Sequence, residues 1–274
     1  MLPKPQRTAT GEGRKGVGPL IPPLTESQRP LRQQVFELVR AAGLIPRVQL
    51  AKDLGVSPAS VTTISSELIE TGLIEEVAAP RDNDAGRGRP AVALGVRAQA
   101  HRVAGMKLSD REHTAVIVDF AGKLIADESI PRRPGPMSLP EILDTIETLL
   151  ARVCTKAGVA RADLSAVGIG LPGFVDCAEG VVFWSSILAE RAVPIAAAAT
   201  SRLGLPVYID NDANLVALAE LWFGAGRSLS DFAVVTIEHG VGMGFVMNHR
   251  IYRGAQRLGM ELGHTKVQLD GALC

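Results

Sequence analysis

Three clusters of residues in the second half of the sequence have the types and spacing to do chemistry. The first is Asp210-Asn211-Asp212-Ala213-Asn214. Carboxylates and amides at this density can hydrogen-bond several hydroxyl groups at once, and one carboxylate can act as a general base. The run lies between a β-prone segment and a helical one, so capping of that helix accounts for at least one of the four polar residues. The second cluster is Gly240-Val241-Gly242-Met243-Gly244, whose glycines permit a tight turn or a close approach of backbone to a ligand. The third is Gly259-Met260-Glu261-Leu262-Gly263-His264-Thr265, in which Glu261 and His264, three apart, can face one site. Each cluster alone is weak evidence: a lone histidine is more often structural than a ligand.

The elements that must position these residues follow from periodicity. Residues 103–108, 114–119 and 123–130 read as three successive strands, with Gly122-Lys123 at the second turn. Residues 139–153 form a helical stretch with Leu139, Ile142, Leu143, Ile146, Leu149, Leu150 and Val153 apolar. A buried strand is expected at 167–171, ending in Pro172-Gly173. An Ala-rich helix at 193–203, a strand at 207–209, a helix at 213–223 and a strand at 232–237 follow. This succession begins an α/β domain, in which ligands are expected at strand ends.

The first hundred residues read differently. Pro30 opens a helix with Leu31, Val35, Leu38, Val39 and Ala42 on one face, and Gly43 closes it. Leu50, Ala51 and Leu54 mark one face of a short second helix, which Gly55 ends in the left-handed conformation. Ser57 caps a third helix and Pro58 suits its first turn. Val61, Ile64 and Leu68 then face inward. Ala59, Thr63 and Ser66 lie opposite, with Thr62 at the edge, and this small polar face suits a helix entering a major groove. Two β-prone runs, 73–77 and 91–96, flank a polar loop carrying Arg87-Gly88-Arg89-Pro90. The pattern is a winged helix-turn-helix, with Ser57, Ala59, Thr62, Thr63 and Ser66 as DNA-facing residues. Arg87 and Arg89 on the wing are expected to reach a minor groove or phosphates. Helix pairs with a glycine turn also occur in many all-helical proteins, and the hairpin is what favours the winged domain.

Composition fits two domains. The chain has 274 residues with 46% hydrophobic and 21% charged residues, ordinary for a globular protein that can bury a core. Its formal net charge is zero, which argues against indiscriminate nucleic-acid binding. Residues 1–99 nevertheless carry 13 Lys/Arg against 10 Asp/Glu, and the remainder 16 against 19. Cys154, Cys177 and Cys274 cannot form a disulfide framework, so a reducing compartment is expected. With no apolar run of membrane-spanning length and no signal core, a cytoplasmic location and no membrane partner are expected. Residues 1–24, rich in Pro, Gly, Lys and Arg, read as a disordered arm. The expected domains are 25–97, the winged helix, and 102–274, the ligand-binding part.

In combination the clusters are far more specific. The run Gly168-Ile169-Gly170-Leu171-Pro172-Gly173-Phe174-Val175-Asp176, then Pro206-Val207 through Asn214, then the glycines, then Glu261-Leu262-Gly263-His264-Thr265 resembles the ROK family, named for repressors, open reading frames and kinases. The winged front end with Gly-Arg-Pro resembles its repressor branch. The resemblance covers roughly residues 30 to 274. It implies an actin-like (ribonuclease H-like) sugar-kinase domain behind the winged domain, and sugar contacts from Asn211, Asp212, Glu261 and His264. In the kinases, the residue at Asp212 is the base that deprotonates the attacking sugar hydroxyl.

The sequence departs from the family pattern in three places. The kinases' Asp-x-Gly-Gly-Thr, which holds metal and nucleotide phosphates, is matched by Gly105-Met106-Lys107-Leu108-Ser109-Asp110-Arg111. Lys107 replaces an anion by a cation, and the glycines whose amides would wrap a phosphate are gone. Phosphoryl transfer depends on such positioning and charge neutralisation, so no ATP is expected and Asp212 is a vestigial base position with no catalytic residue beside it. Ser185-Ser186-Ile187 stands where sugar-binding members often place an Asn. Finally, the family's zinc set needs His264 and three cysteines, of which only Cys274 is present, so the zinc site is incomplete. The effector domain is expected to be truncated, with its second lobe incomplete. The expectation is a sugar-responsive transcriptional repressor, binding operator DNA and a sugar or sugar phosphate as a homodimer or higher homo-oligomer. A ROK sugar kinase with an appended DNA-binding domain, and a DNA-binding remnant without a ligand, are the alternatives.

Overall fold

The structure is a computed structural model that describes residues 16–20, 29–78, 92–238, 240–254 and 261–265. Two compact units divide it: Met1–Val17 with Arg29–Val96, and Gly18–Gln28 with Arg97–Cys274.

The first unit runs α1 (Leu31–Ala42), β1 (Leu44–Pro46), α2 (Arg47–Leu54), α3 (Pro58–Glu70), β2 (Ile74–Ala78) and β3 (Val92–Val96). Gly55 ends α2 at φ 64°, ψ 29°, the left-handed cap that only glycine adopts without strain. The Ser57 hydroxyl accepts the Ser60 amide at 3.1 Å and so caps α3, with Pro58 following. Val35, Val39, Leu50, Val61, Leu68 and Leu94 fill the core. The three strands form an antiparallel sheet in the order β1-β3-β2. β1 is not legible from periodicity because it is three residues long and ends in a proline. The segment between β2 and β3, with Arg87 and Arg89, lies outside the described residues. Within the segment expected to be an arm, the Val17 amide donates to the Arg40 carbonyl at 2.9 Å.

The inward stripe of α3 differs from the expected one in one place. Val61, Ser65 and Leu68 are buried, whereas Ile64 is only half-buried. The Ser65 hydroxyl accepts from Arg47 Nε at 2.9 Å and donates to the Thr62 carbonyl at 3.1 Å, so its burial leaves no unsatisfied polar atom. Arg47 also pairs with Glu76 at 2.8 Å, tying α2 to both α3 and β2.

The second unit is α/β. Its strands are β4 (Arg102–Lys107), β5 (Glu112–Asp119), β6 (Leu124–Pro131), β7 (Ala166–Leu171), β8 (Phe174–Asp176), β9 (Val181–Trp184), β10 (Val207–Asn211), β11 (Phe232–Ile237), β12 (Val241–Met247) and β13 (Arg250–Ile251). Its helices are α4 (Leu139–Ala157), α5 (Ile195–Leu203) and α6 (Asp212–Phe223). β10-β7-β4-β5-β6 form one sheet, in which β4, β7 and β10 are parallel and β5 and β6 antiparallel. The apolar stripe of α4 (Ile142, Ile146, Leu149, Leu150, Val153) is buried in one core with Ile117, Val167 and Ile169. The Gly18 and Leu20 amides donate to the carbonyls of Trp222 and Arg227.

A smaller sheet, β11-β12-β13, packs on α6. Of the two readings of the glycine run, a tight turn or a close approach of backbone to a ligand, the structure removes the first. The Gly242-Met243-Gly244 run is not a turn but lies within strand β12, paired antiparallel to β11. A Cβ on Gly244 would lie 2.5 Å from the Ala213 carbonyl oxygen and 2.6 Å from Ala217 Cβ. The glycine is required because the strand lies directly against the helix backbone. Among the described residues no helix is long and apolar enough to cross a membrane.

Candidate functional site

β4, β7 and β10 run in one direction, so their C-terminal ends bring Lys107, the Pro172-Gly173 turn and Asn211 to one edge of the sheet. A cleft of ≈ 330 Å³ opens there. Lys107, Asp110, Trp184, Ser186, Asn211, Asp212, Glu238, Glu261 and His264 are among the residues lining it. All four residues expected to contact sugar therefore meet in one place, although more than 50 positions separate Asn211 from His264.

Asn211 does two jobs. Its side-chain oxygen accepts the amides of Ala213 and Asn214 at 2.9 and 3.3 Å, capping α6, and its Nδ2 donates to the Gly173 carbonyl at 3.0 Å. The turn is held from beneath. Asp210 is buried and accepts the Asn211 amide at 2.8 Å and Asn214 Nδ2 at 3.1 Å, while Arg253 pairs with its other oxygen. Of the dense polar run, Asp210 is thus an internal brace, Asn214 both supports it and lines the cleft, and Asn211 and Asp212 face the cleft. Arg253 was not singled out by the sequence, since nothing local marks an arginine that will pair 43 residues upstream.

Asp212 occupies the first turn of α6, and its Oδ1 accepts the Ala213 amide at 3.0 Å. Burial raises the carboxyl above its ordinary value, the charge of Glu238 adds to this, and Lys107 and the amide bonds oppose it. Lys107 forms an ion pair with Glu238, Nζ to Oε1 2.7 Å and to Oε2 3.0 Å. Its positive charge is thus already neutralised by a carboxylate of the protein. The following loop also serves itself. The Ser109 hydroxyl accepts the amides of Arg111 and Glu112, both at 3.4 Å, and donates to the Glu112 carbonyl at 2.7 Å. Ser186, in the run Ser185-Ser186-Ile187 expected to depart from the family pattern, donates its hydroxyl to the Asp110 carboxylate at 3.2 Å.

Glu261 precedes a short 3-10 turn, Leu262–His264, and its Oε2 lies 3.8 Å from His264 Nε2. Gly263 sits against β12: a Cβ there would meet the Val241 carbonyl oxygen at 2.4 Å. This contact brings the segment to the cleft. Cys274 lies outside the described residues. Among the described residues no group of three or more His, Cys, Asp or Glu side chains could hold a metal ion. His264 and its neighbour Glu261 do not by themselves make a closed zinc site.

In the first unit, Ser57, Ala59, Thr62, Thr63 and Ser66 are all exposed. They spread over the start of α3 and the face opposite Val61, Ser65 and Leu68.

The ROK family model matches residues 103–274, and the chain belongs to the ROK family. It is 31% identical over 247 residues to the DNA-binding transcriptional repressor Mlc of Escherichia coli (strain K12), a match covering 88% of this chain and 58% of that protein. The putative xylose repressor of Caldicellulosiruptor sp. (strain Rt8B.4) is 30% identical over 230 residues, covering 84% of this chain and 57% of that protein. Among solved structures, a ROK family transcriptional regulator described as a homolog of the E. coli Mlc protein matches with a TM-score of 0.71 at 27% identity, covering 89% of this chain and 61% of that one. A ROK family glucokinase from Streptomyces griseus, in complex with glucose and AMPPNP, matches with a TM-score of 0.57 at 31% identity, covering 63% and 53%. The chain spans less than two thirds of the length of each of these proteins.

Proposed function

We propose that the chain is a sugar-responsive transcriptional regulator, of the repressor kind, acting in the cytoplasm as a homodimer or higher homo-oligomer. The first unit is a winged helix-turn-helix that reads operator DNA with α3, from Ser57 to Ser66, and the second unit is a degenerate kinase-like sensor of a sugar. The observation that carries this reading is α3. A capped helix follows a tight glycine turn, buries Val61, Ser65 and Leu68, and leaves a small polar face exposed, as insertion into a major groove requires. The repressors to which the chain is similar support it.

Sugar held by Asn211, Asp212, Glu261 and His264 would favour one arrangement of the paired DNA-binding units over another. The resulting coupling changes operator affinity by about 5- to 150-fold. The test is an electrophoretic mobility shift with operator fragments selected from a genomic library, with and without sugar. A shift that responds to sugar is expected, and no retained DNA would overturn the reading.

The kinase alternative is favoured by Asp212, a half-buried carboxyl at a helix N-terminus inside the cleft. Against it stand the Lys107–Glu238 ion pair and the Ser109 hydroxyl that takes up the loop amides, because neither leaves a cradle for metal or phosphate. A coupled ADP-release assay with ATP, magnesium and a broad sugar panel should therefore give no turnover. Turnover that disappears in Asp212→Ala would establish the kinase instead. Any zinc held through His264 and Cys274 is weak and readily chelated.

A further inference from the structure

Two aromatic residues line the cleft beside its polar groups. Phe174 begins β8 and Trp184 ends β9, and they are paired across the two-stranded sheet. Their ring centroids lie 5.7 Å apart with the planes inclined at 48°. Trp184 remains 41% exposed. Core packing alone does not account for an indole left open in a cleft and backed by a second ring.

The backbone fixes where β9 ends. Gly173 has φ 112°, a conformation that favours glycine. A Cβ there would lie 2.1 Å from the Trp184 carbonyl oxygen, so the end of β9 passes directly against Gly173. The Gly173 carbonyl in turn accepts Asn211 Nδ2 at 3.0 Å. A single glycine thus couples the backbone of the aromatic residue to the polar turn of Asn211 and Asp212. The spacing between the two is set by a main-chain contact on one side of Gly173 and a single side-chain hydrogen bond on the other.

A pyranose presents hydroxyls around its edge and C–H groups on its faces. The cleft offers the complementary pair of surfaces: hydrogen-bonding groups at Asn211, Asp212, Glu261 and His264, and an aromatic face at Trp184. We propose that Trp184 is a specificity-determining residue of this cleft, its indole stacking on the C–H face of a pyranose whose hydroxyls Asn211 and Asp212 hold. This rests on the sugar-sensing reading above. A cyclic sugar is selected over an acyclic polyol, because only the ring offers a preformed, continuous C–H face to the indole.

The sequence contains two tryptophans, Trp184 and Trp222. Trp222→Phe leaves Trp184 as the sole indole, and its emission can be followed while D-glucose, D-xylose, N-acetylglucosamine, sorbitol or ATP is titrated, with calorimetry in parallel. A cyclic sugar is expected to shift the emission to the blue and to protect Trp184 from acrylamide. Trp184→Leu should weaken that sugar by about tenfold, and Trp184→Phe by less. Circular dichroism checks that the variants fold, and should Trp184→Leu fail to fold, the Trp184 emission in the Trp222→Phe protein still decides. Calorimetric binding of a sugar with unchanged emission and unchanged affinity in Trp184→Leu would overturn the stacking while leaving the sugar cleft standing. Sorbitol bound as tightly as any ring, or ATP alone moving the emission, would also overturn it. No heat with any sugar would remove the sugar reading itself, and this inference with it.

Discussion

At the scale of single residues, the cleft is a balance of charges that the protein has largely neutralised for itself. Lys107 and Glu238 pair across it, and their exposures of 38% and 61% mean that the pair adds little to stability. Its consequence is local: the Lys107 cation at the end of β4 is already matched by a carboxylate across the cleft. Asp212 is held above its ordinary carboxyl value, first by burial. A folded-state value raised above the unfolded one makes the ionised form a cost. That cost is absent below the unfolded value of 3.8 and grows as pH rises through the folded value. Asp212→Asn keeps an acceptor for the Ala213 amide and removes the charge. Chemical denaturation should find this variant more stable than the parent at pH 7, with the difference vanishing as pH falls below 3.8.

At the scale of elements, α6 and β12 decide the geometry of the cleft together. β12 approaches α6 so closely that Gly244 has no room for a methyl group. Gly244→Ala should cost about 1–3 kcal/mol by forcing strand and helix apart, read as a lower thermal midpoint. Because Asn211 and Asp212 begin that helix, the proposed sugar binding should weaken in parallel, as calorimetry would read. On α3, Thr63 and Ser66 are exposed and contribute nothing to the core. Replacing both by Ala should leave the melting temperature nearly unchanged while weakening operator binding by roughly 1–3 kcal/mol for each base-reading side chain removed. An unchanged gel-shift titration would remove these two residues from the DNA-facing surface.

At the scale of the whole molecule, charge is divided unevenly. Residues 1–99 carry 13 Lys/Arg against 10 Asp/Glu in a chain of zero formal charge. So slight an excess cannot drive strong non-specific binding, and affinity for an operator must come from few, well-placed groups. Arg87 and Arg89 are the proposed wing residues that touch DNA. Replacing both by Ala should weaken operator binding and reduce its salt slope by about 1 for each phosphate-binding side chain removed. Affinity measured from low to moderate salt checks this, and an unchanged slope would exclude the wing from the interface.

The sequence alone determined what depends on near neighbours. Gly55, Ser57 and Pro58 specify the turn and start of α3 through backbone preferences and one local hydrogen bond, and the structure has them as the residue types require. The alternation and periodicity of apolar residues located β4 to β7, α4, α5, β10 and α6, because those faces must be buried whatever lies opposite. The ordered clusters identified the family and the four residues that meet in the cleft. Tertiary structure alone decided the rest, since it depends on partners far apart in the chain. Gly242 and Gly244 are compatible with a turn or a close backbone approach until α6 is seen packed against them. β1 is too short to carry a period and exists because β3 offers it an edge. Ser65 is buried among apolar residues because Arg47 reaches it from another helix. Lys107 finds Glu238 at a separation of 131 residues, and Asp210 finds Arg253 at 43. Trp184 lines the cleft because β9 ends against the main chain at Gly173, 11 positions earlier in the sequence. A charge or a ring in the sequence carries no record of what the fold will set against it, so these pairings were decided only when the strands and helices assembled.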